Sequence, residues 1–429
     1  MKLLTLVIMI KFKLLLLTYI LFFCSVVTFG QRNFEYKDQT YLETIKTVQL
    51  YPAGNPLFQT RNPVISLRSN DQLILEFDEL YEDAYSYLAK IIHCNNDWQP
   101  SGLSPLQYLN EYNEFRINEL EYSFGTKVPY VHYKFTVPKT KISGNFLLVV
   151  YSENDPEEII LTRRFMVFEQ WVQLSSPAEI MNRSIQSINR QNILFEVNYG
   201  KVELLNPMDN VKVSILQNHR WDNAKIAIRP TFIREMQGIL GYNNFSAADG
   251  FYAGNEFRRF DLRSLRYFGF HVETAKLDDK GSAAWIDIDI PRSGLAYTIE
   301  ENRNGQFFID NVEQRIPDIE NDYARVYFRL KSEKVNGQVH LSGKFTDWKY
   351  TNLTKMTYDE AFGGYIGEYL LKQGAYDYQY AVINNSDPNL LEGNKSETRN
   401  QYEILVYYWS TPLQADLLIG YLGFTFNGL

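Results

Sequence analysis

The chain has 429 residues, Lys+Arg 43 against Asp+Glu 51, a formal charge of -8 and 2 Cys. Its length fits roughly two to four domains at about 100–200 residues each, and 45% hydrophobic with 22% charged residues excludes an intrinsically disordered chain. Two cysteines exclude a disulfide framework, and the acidic balance excludes a protein whose main work is gripping nucleic acid, which takes Lys and Arg to displace counterions.

Residues 1–30 read as a secretory signal peptide. Lys11 and Lys13 precede the apolar run Leu14 to Phe23, and Ser25, Val26, Val27, Thr28, Phe29 and Gly30 follow. A charged opening, a short apolar stretch and small residues before a cut make a cleavable leader. The cut is expected between Gly30 and Gln31, and Met9 is a second candidate start. The apolar run is short for a bilayer span, which weighs against a permanent anchor. Cys24 follows Phe22 and Phe23, not the small residues that lipoprotein processing needs. Cleavage leaves 399 residues, with 40 basic side chains against 51 acidic and a charge of -11. Cys94 is then the single thiol, expected as a small buried hydrophobe.

Beyond the leader, short β-prone runs alternate with turn signals. They include Gln72 to Phe77, Val131 to Val137, Asn145 to Tyr151, Arg163 to Phe168, Val211 to Ile215, Ala284 to Ile290 and Tyr323 to Leu330. Many alternate apolar and polar with period two, as half-buried antiparallel strands require. An aromatic content of 15%, led by 31 tyrosines and 28 phenylalanines, points the same way. Only Tyr81 to Ala89 and Leu106 to Tyr112 suggest short helical pieces. The fold class is all-β: tandem immunoglobulin-like β-sandwich domains after a cleaved signal peptide. Breaks near Glu169-Gln170 and between Asn311 and Asp322 divide the chain into an N-terminal β-sandwich (31–169), a middle β-rich domain (170–311) and a C-terminal unit (312–429), which Gly337 to Trp348, Gly364 to Tyr369 and Lys372 to Tyr380 make similar to an early-set immunoglobulin-like sandwich. An outer-membrane barrel shares the aromatic strands and the leader, and Leu417 to Phe424 reads as a barrel strand or a last sandwich strand. The varied strand lengths and the lack of a lipid-facing band favour sandwiches.

Candidate chemistry is sparse. His93, His132, His219, His271 and His340 are scattered, with no pair at metal-ligand spacing, so neither a metal nor a cofactor is assigned. No nucleophile elbow, phosphate-cradling loop or zinc-protease helix is present in the sequence, and the chain is not read as an enzyme. Gly337 to Trp348, Gly364 to Tyr369 and Lys372 to Tyr380 resemble the early-set sandwich of glycogen-binding modules. Trp348 is therefore either a sugar-stacking ring or a plug for the end of the sandwich. Burial is favoured, because a large ring gains most from it. Asn255 to Arg266 holds four arginines and two acids. On a strand it would put Arg258, Phe260, Leu262, Ser264 and Arg266 on one face, and Phe257, Arg259, Asp261, Arg263 and Leu265 on the other. Guanidinium forks match carboxylates, so an internal salt-bridge lattice is one reading. A partner-binding patch of Arg258, Arg259, Arg263 and Arg266 is the other.

The stretch Asn255-Glu256-Phe257-Arg258 with Phe260-Asp261 and Arg263-Ser264-Leu265-Arg266 resembles the signature of the type IX secretion system plug protein family of Bacteroidota. So do His93-Cys94-Asn95-Asn96-Asp97-Trp98-Gln99-Pro100-Ser101 with Tyr108-Leu109-Asn110, Tyr130-Val131-His132-Tyr133, Leu371 to Tyr380, Glu392-Gly393-Asn394 and Asn400-Gln401-Tyr402. The family often has a Gly-Phe pair after the Tyr-Leu pair, where this chain has Glu111-Tyr112. The resemblance covers the expected mature chain. It marks Asn255, Glu256, Phe257, Asp261, Trp98 and Trp348 as candidate structural motif positions. It implies a periplasmic β protein at the inner face of the outer membrane, with the translocon barrel protein as partner and peripheral association through protein contacts alone. Its implied task is to seal that translocon when no substrate occupies it. A carbohydrate-binding or cell-surface β-sandwich protein is the alternative.

Overall fold

The computed structural model describes residues 34–183, 185–187, 190–243, 250–278, 281–313 and 315–427, so the expected signal peptide lies outside the described residues. Period-two patterning decides the first sandwich. Along Leu73–Glu79, the residues Leu73, Leu75 and Phe77 enter its core, together with Val131 and Tyr133 from the neighbouring strand Val131–Thr136. One sheet runs Ile45–Pro52, Leu73–Glu79, Val131–Thr136, Glu119–Tyr122. The facing sheet runs Gln39–Thr40, Ile159–Phe168, Gly144–Ser152, Tyr87–Cys94, Phe115–Arg116, with Val64–Ser66 added in parallel to Ile159–Phe168. Phe146, Leu148, Val150 and Phe165 meet the first sheet across the core.

A second sandwich sets the sheet Arg220–Ile228, Val211–Gln217, Gln401–Ser410, Ala415–Thr425 against Gln173–Leu174, Phe195–Asn198, Ile239–Tyr242, Phe232–Arg234 and a small sheet that includes Phe251–Tyr252. Its core holds Val213, Ile215, Phe195, Tyr242, Tyr402, Ile404 and Ile419. The last hairpin of the chain completes it, since Val211–Gln217 pairs with Gln401–Ser410 from Val211↔Tyr408 to Gln217↔Tyr402. The third sandwich joins Arg258–Asp261, Gly374–Ile383, Phe307–Ile309 and Gln338–Ser342 on one side. Val272–Asp278, Gly281–Ile286, Tyr323–Leu330, Gly364–Lys372 and Thr357–Asp359 lie on the other. Strand pairing thus crosses the 311/312 division in both directions. Gln401–Ser410 pairs with a strand of the 170–311 segment, and Arg258–Asp261 pairs with Gly374–Ile383.

The sandwiches also pack on one another. Leu147, Val149 and Met166 on the outer face of the first sandwich meet Leu216, Leu405, Tyr407 and Leu418 of the second. Gly144–Ser152 is consequently buried on both faces, which explains its unbroken run Phe146 to Val150, a pattern that a sheet wetted on one side does not need. Across this contact the Tyr407 hydroxyl donates to Asn145 Oδ1 at 2.9 Å.

Helix is confined to single turns and one seven-residue piece, Pro177–Arg183, among the described residues. The expected helical piece over Tyr81 to Ala89 is instead a bend leading into the strand Tyr87–Cys94, where Tyr87, Ala89 and Ile91 alternate into the core. Of Leu106 to Tyr112, only the turn Pro105–Tyr108 is helical. Pro105 opens it, and Gln107 Oε1 takes the Ser104 N–H at 2.8 Å. Ala415–Thr425 is the edge of an open four-stranded sheet and Leu417 and Ile419 face a sandwich core, so the run Leu417 to Phe424 serves a sandwich.

Candidate functional site

The arginine-rich stretch folds as a short strand, Arg258–Asp261, whose two faces differ in burial. Arg258, Phe260, Leu262 and Ser264 are buried, Arg259, Asp261 and Arg263 are half-buried, and Arg266 is exposed. The Arg258 guanidinium spans two carboxylates: Nη1 to Asp289 Oδ1 at 2.6 Å and Nε to Glu392 Oε1 at 3.0 Å, with Nη2 donating to the Ile290 carbonyl at 2.8 Å. Arg292 adds Nη2 to Glu392 Oε2 at 2.8 Å. Burial opposes every charge here. Even so, the Arg258 and Arg292 guanidiniums hold the Glu392 carboxyl below the usual range, and His271 and Arg258 hold Asp289 at about 2. Tyr378 and Tyr380 both donate to Asp289 Oδ2, at 2.6 and 2.7 Å. Arg258 therefore has its donors committed inside the sandwich and presents no face to a partner.

Arg263 folds back onto Asp261 at 2.7 Å and reaches Asp310 at 3.3 Å. Arg259 lies 4.7 Å over the Phe270 ring. Arg266 opens the exposed run Tyr267, Phe268 and Phe270. Of the four arginines, Arg259 and Arg266 thus stand beside an exposed aromatic surface. The motif's other members are internal ties. Asn255 Nδ2 donates to the Glu392 carbonyl at 2.8 Å, and buried Glu256 receives the Tyr297 hydroxyl at 2.6 Å and the Arg399 Nε at 3.3 Å. Phe257 meets Trp348 edge-on at 5.9 Å.

Trp348 is 9% exposed, and the Arg220 guanidinium covers its ring at 4.5 Å. Gly305, at φ +83°, lies so close that a Cβ there would collide with the ring. No ring face of Trp348 is open for a sugar. Trp98, also buried, packs edge-on to Trp221 at 5.0 Å with Arg164 over it at 4.3 Å. Its loop ties the first sandwich to the last strand: the Asn96 backbone N–H and side-chain Nδ2 both donate to Asp416 Oδ2, at 3.1 and 2.6 Å.

A second ion cluster joins the first sandwich to the third. Glu76 and Asp78 sit opposite Lys134 and His132 on the outer face of the first sandwich. Asp78 is fully buried. Its Oδ1 takes His132 Nδ1 at 2.7 Å, and its Oδ2 takes Lys372 Nζ at 2.7 Å and the Tyr323 hydroxyl at 2.6 Å. Burial raises the Asp78 carboxyl, but Lys372 and His132 outweigh it and hold it below the ordinary carboxylate range. Lys372 also lies 4.2 Å over the Tyr130 ring. Beside this cluster the ligand atoms of Glu76, His132 and Asp318 lie within 4.8 Å of one another, a grouping with metal-binding chemistry. The sequence shows two signs of the junction, alternate acids in Leu73–Glu79 and a lysine inside the apolar run Tyr369 to Tyr376. It does not show that these residues meet.

Cys94 is buried against Leu147 and Val149, and burial pushes its thiol up to about 12, which leaves it un-ionised.

The fold and these contacts define an all-β protein of packed sandwiches whose buried charged residues brace one unit against the next. Residues 45–169 match the family model of the type 9 secretion system plug protein 1st domain. The chain is also similar to a hypothetical protein from Parabacteroides merdae ATCC 43184 known from a crystal structure. The two share 30% sequence identity at a TM-score of 0.83, over 92% of this chain and 100% of that one. No curated protein matches. The chain belongs to the type IX secretion system plug protein family, which associates it with type IX secretion.

Proposed function

We propose that the protein is a periplasmic plug, not an enzyme, which closes the outer-membrane translocon of the type IX secretion system while no substrate occupies it. The family match over residues 45–169 carries this reading. Physical features support it. A stopper for a wide aqueous pore must keep its shape under load, and three sandwiches packed on one another and tied by buried ions suit that demand. No described helix is long and apolar enough to cross a membrane; the docking we propose is through protein contacts. For the contact surface we favour Arg266 with exposed Tyr267, Phe268 and Phe270, backed by Arg259, because arginine and aromatic side chains carry much of the energy of protein interfaces. The division at 169 remains our proposal for the chain's order, whereas the one at 311 does not follow the sandwiches, because Arg258–Asp261 and Phe307–Ile309 build the third sandwich and the final hairpin completes the second.

The experiment is a pull-down from native outer membranes in mild detergent, paired with a deletion strain. The protein is expected to co-purify with a large translocon barrel, and the deletion is expected to admit a small dye. The Arg266→Glu/Phe268→Ser double variant should fold, as shown by circular dichroism, and lose the barrel. A wild-type protein that emerges alone, with no dye leakage in the deletion, overturns the reading.

A further inference from the structure

We propose that Glu76, His132 and Asp318 form a divalent-metal site, suited to zinc, that clamps the first sandwich to the third. Glu76 and His132 stand on adjacent strands of the first sandwich, and Asp318 comes from the turn Pro317–Glu320 that leads into the third sandwich's strand Tyr323–Leu330. Their ligand atoms lie within 4.8 Å of one another.

The imidazole supplies the independent sign. His132 is 7% exposed. Its Nδ1 is 2.7 Å from Asp78 Oδ1, and since a carboxylate only accepts, Nδ1 carries the hydrogen. In the neutral imidazole Nε2 is then left with its lone pair. It is buried without a hydrogen-bond partner and 4.0 Å from Glu76 Oε1. An orphaned buried acceptor costs free energy, and an acceptor cannot be relieved by a carboxylate. A cation relieves it. Carboxylate–histidine–metal is also the arrangement by which proteins orient a ligating imidazole and raise its basicity. One imidazole nitrogen with two carboxylates suits zinc better than calcium or magnesium, which prefer all-oxygen shells.

The surrounding charges set the terms. Tyr51 donates to Glu76 Oε2 at 2.5 Å, and Lys134 Nζ reaches Glu76 Oε1 at 3.2 Å. Lys372 neutralises Asp78 and also donates to the Asp318 carbonyl at 2.7 Å. Lys134 is the competitor: its side chain is 40% exposed, so it can swing into water as the metal enters. Zinc bonds of about 2.0–2.1 Å place tetrahedral ligands roughly 3.3 Å apart, so the three donors must draw together. Asp318, half-buried on a single turn, is the one free to move. Water would complete the shell.

The test titrates the chelator-stripped exported chain with Zn2+ alone by calorimetry and with Co2+ by visible absorption. One equivalent is expected, with cobalt bands of a nitrogen- and oxygen-ligated site. Asp318→Asn should weaken zinc binding by roughly tenfold or more, whereas Lys134→Met should tighten it. His132→Gln should abolish it, and should that variant fail to fold, Asp318→Asn decides. Absence of stoichiometric binding by the wild type overturns the proposal. So does an affinity unchanged by Asp318→Asn or weakened by Lys134→Met.

Discussion

The Arg258 cluster and the Asp78 cluster both bury charge, but the first closes a single sandwich and the second joins two. Arg258 offers a planar fork to Asp289 and Glu392, both carboxylates of its own sandwich. Lys372 offers a compact ammonium to one carboxylate, Asp78, from a different unit. The geometry follows the task. Within one sandwich the backbone already fixes both acids, so a rigid bidentate donor gains most. Across a junction the partners arrive on separate bodies, and a point charge on a flexible stem tolerates small errors of docking. The difference also sets vulnerability, because removing a buried cation leaves its anions unpaired.

Arg258→Met withdraws two buried ion pairs at once, leaving Glu392 to Arg292 and Asp289 to His271, Tyr378 and Tyr380, and should give the largest loss, about 4–5 kcal/mol of unfolding free energy, read by urea denaturation of residues 31–429. Lys372→Met withdraws one, with Asp78 still held by His132 and Tyr323, and should cost about 3 kcal/mol. In addition it should loosen the junction, seen as faster hydrogen exchange in Tyr130 to Thr136 without matching change in Val211 to Gln217. A larger loss for Lys372→Met than for Arg258→Met would break the comparison.

Groups whose burial outweighs the charges around them sharpen it. Burial lowers His93 to about 4 and raises Asp377 to about 6. Between about pH 6.5 and 4 the unfolded chain protonates His93 while the folded one does not, so stability falls as pH drops through that window. Asp377 works the other way. Between about pH 3.8 and 6 the folded chain holds its proton and the unfolded chain does not, so stability falls as pH rises. Relative to the wild type, His93→Phe should therefore tilt the stability profile toward decline with rising pH between about 4 and 6, and Asp377→Asn should tilt it the opposite way. Each slope amounts to about 3 kcal/mol across its window. Urea midpoints across that range check both, and parallel profiles for the two variants would refute the assignment. At the small end, Arg263→Ala removes a partly exposed pair and should cost less than about 1 kcal/mol. Cys94 should stay unmodified by a thiol reagent until the chain unfolds.

Some of this was legible in the residues. Gln72 to Phe77, Val131 to Val137 and Tyr323 to Leu330 carry their period on the surface of the sequence, and each forms a strand within a residue or two of where the pattern puts it. The Asn255 to Arg266 stretch shows its two faces by simple alternation. What alternation could not show is which side is wet. Ile74, Glu76 and Asp78 look solvent-facing beside Leu73, Leu75 and Phe77, yet all are buried, because another sandwich covers that face. Tyr81 to Ala89 misled for the reverse reason: its spacing of tyrosines and alanines suits a turn of helix, and the strand won because Tyr87 and Ala89 gain burial in the first core.

By itself the sequence determined the class: β throughout, in several sandwiches, without a disulfide framework, and with motifs enough to point to a family. Period, turn residues and composition are local quantities, and local quantities select local structure. Tertiary structure decided the rest. It sent the final hairpin back to Val211–Gln217 and turned Arg258 inward to Glu392. It also brought His132 of one sandwich within reach of Asp318 of another. Each of these depends on register and docking between segments a hundred or more residues apart, and the energy of such pairings resides in no single stretch of chain.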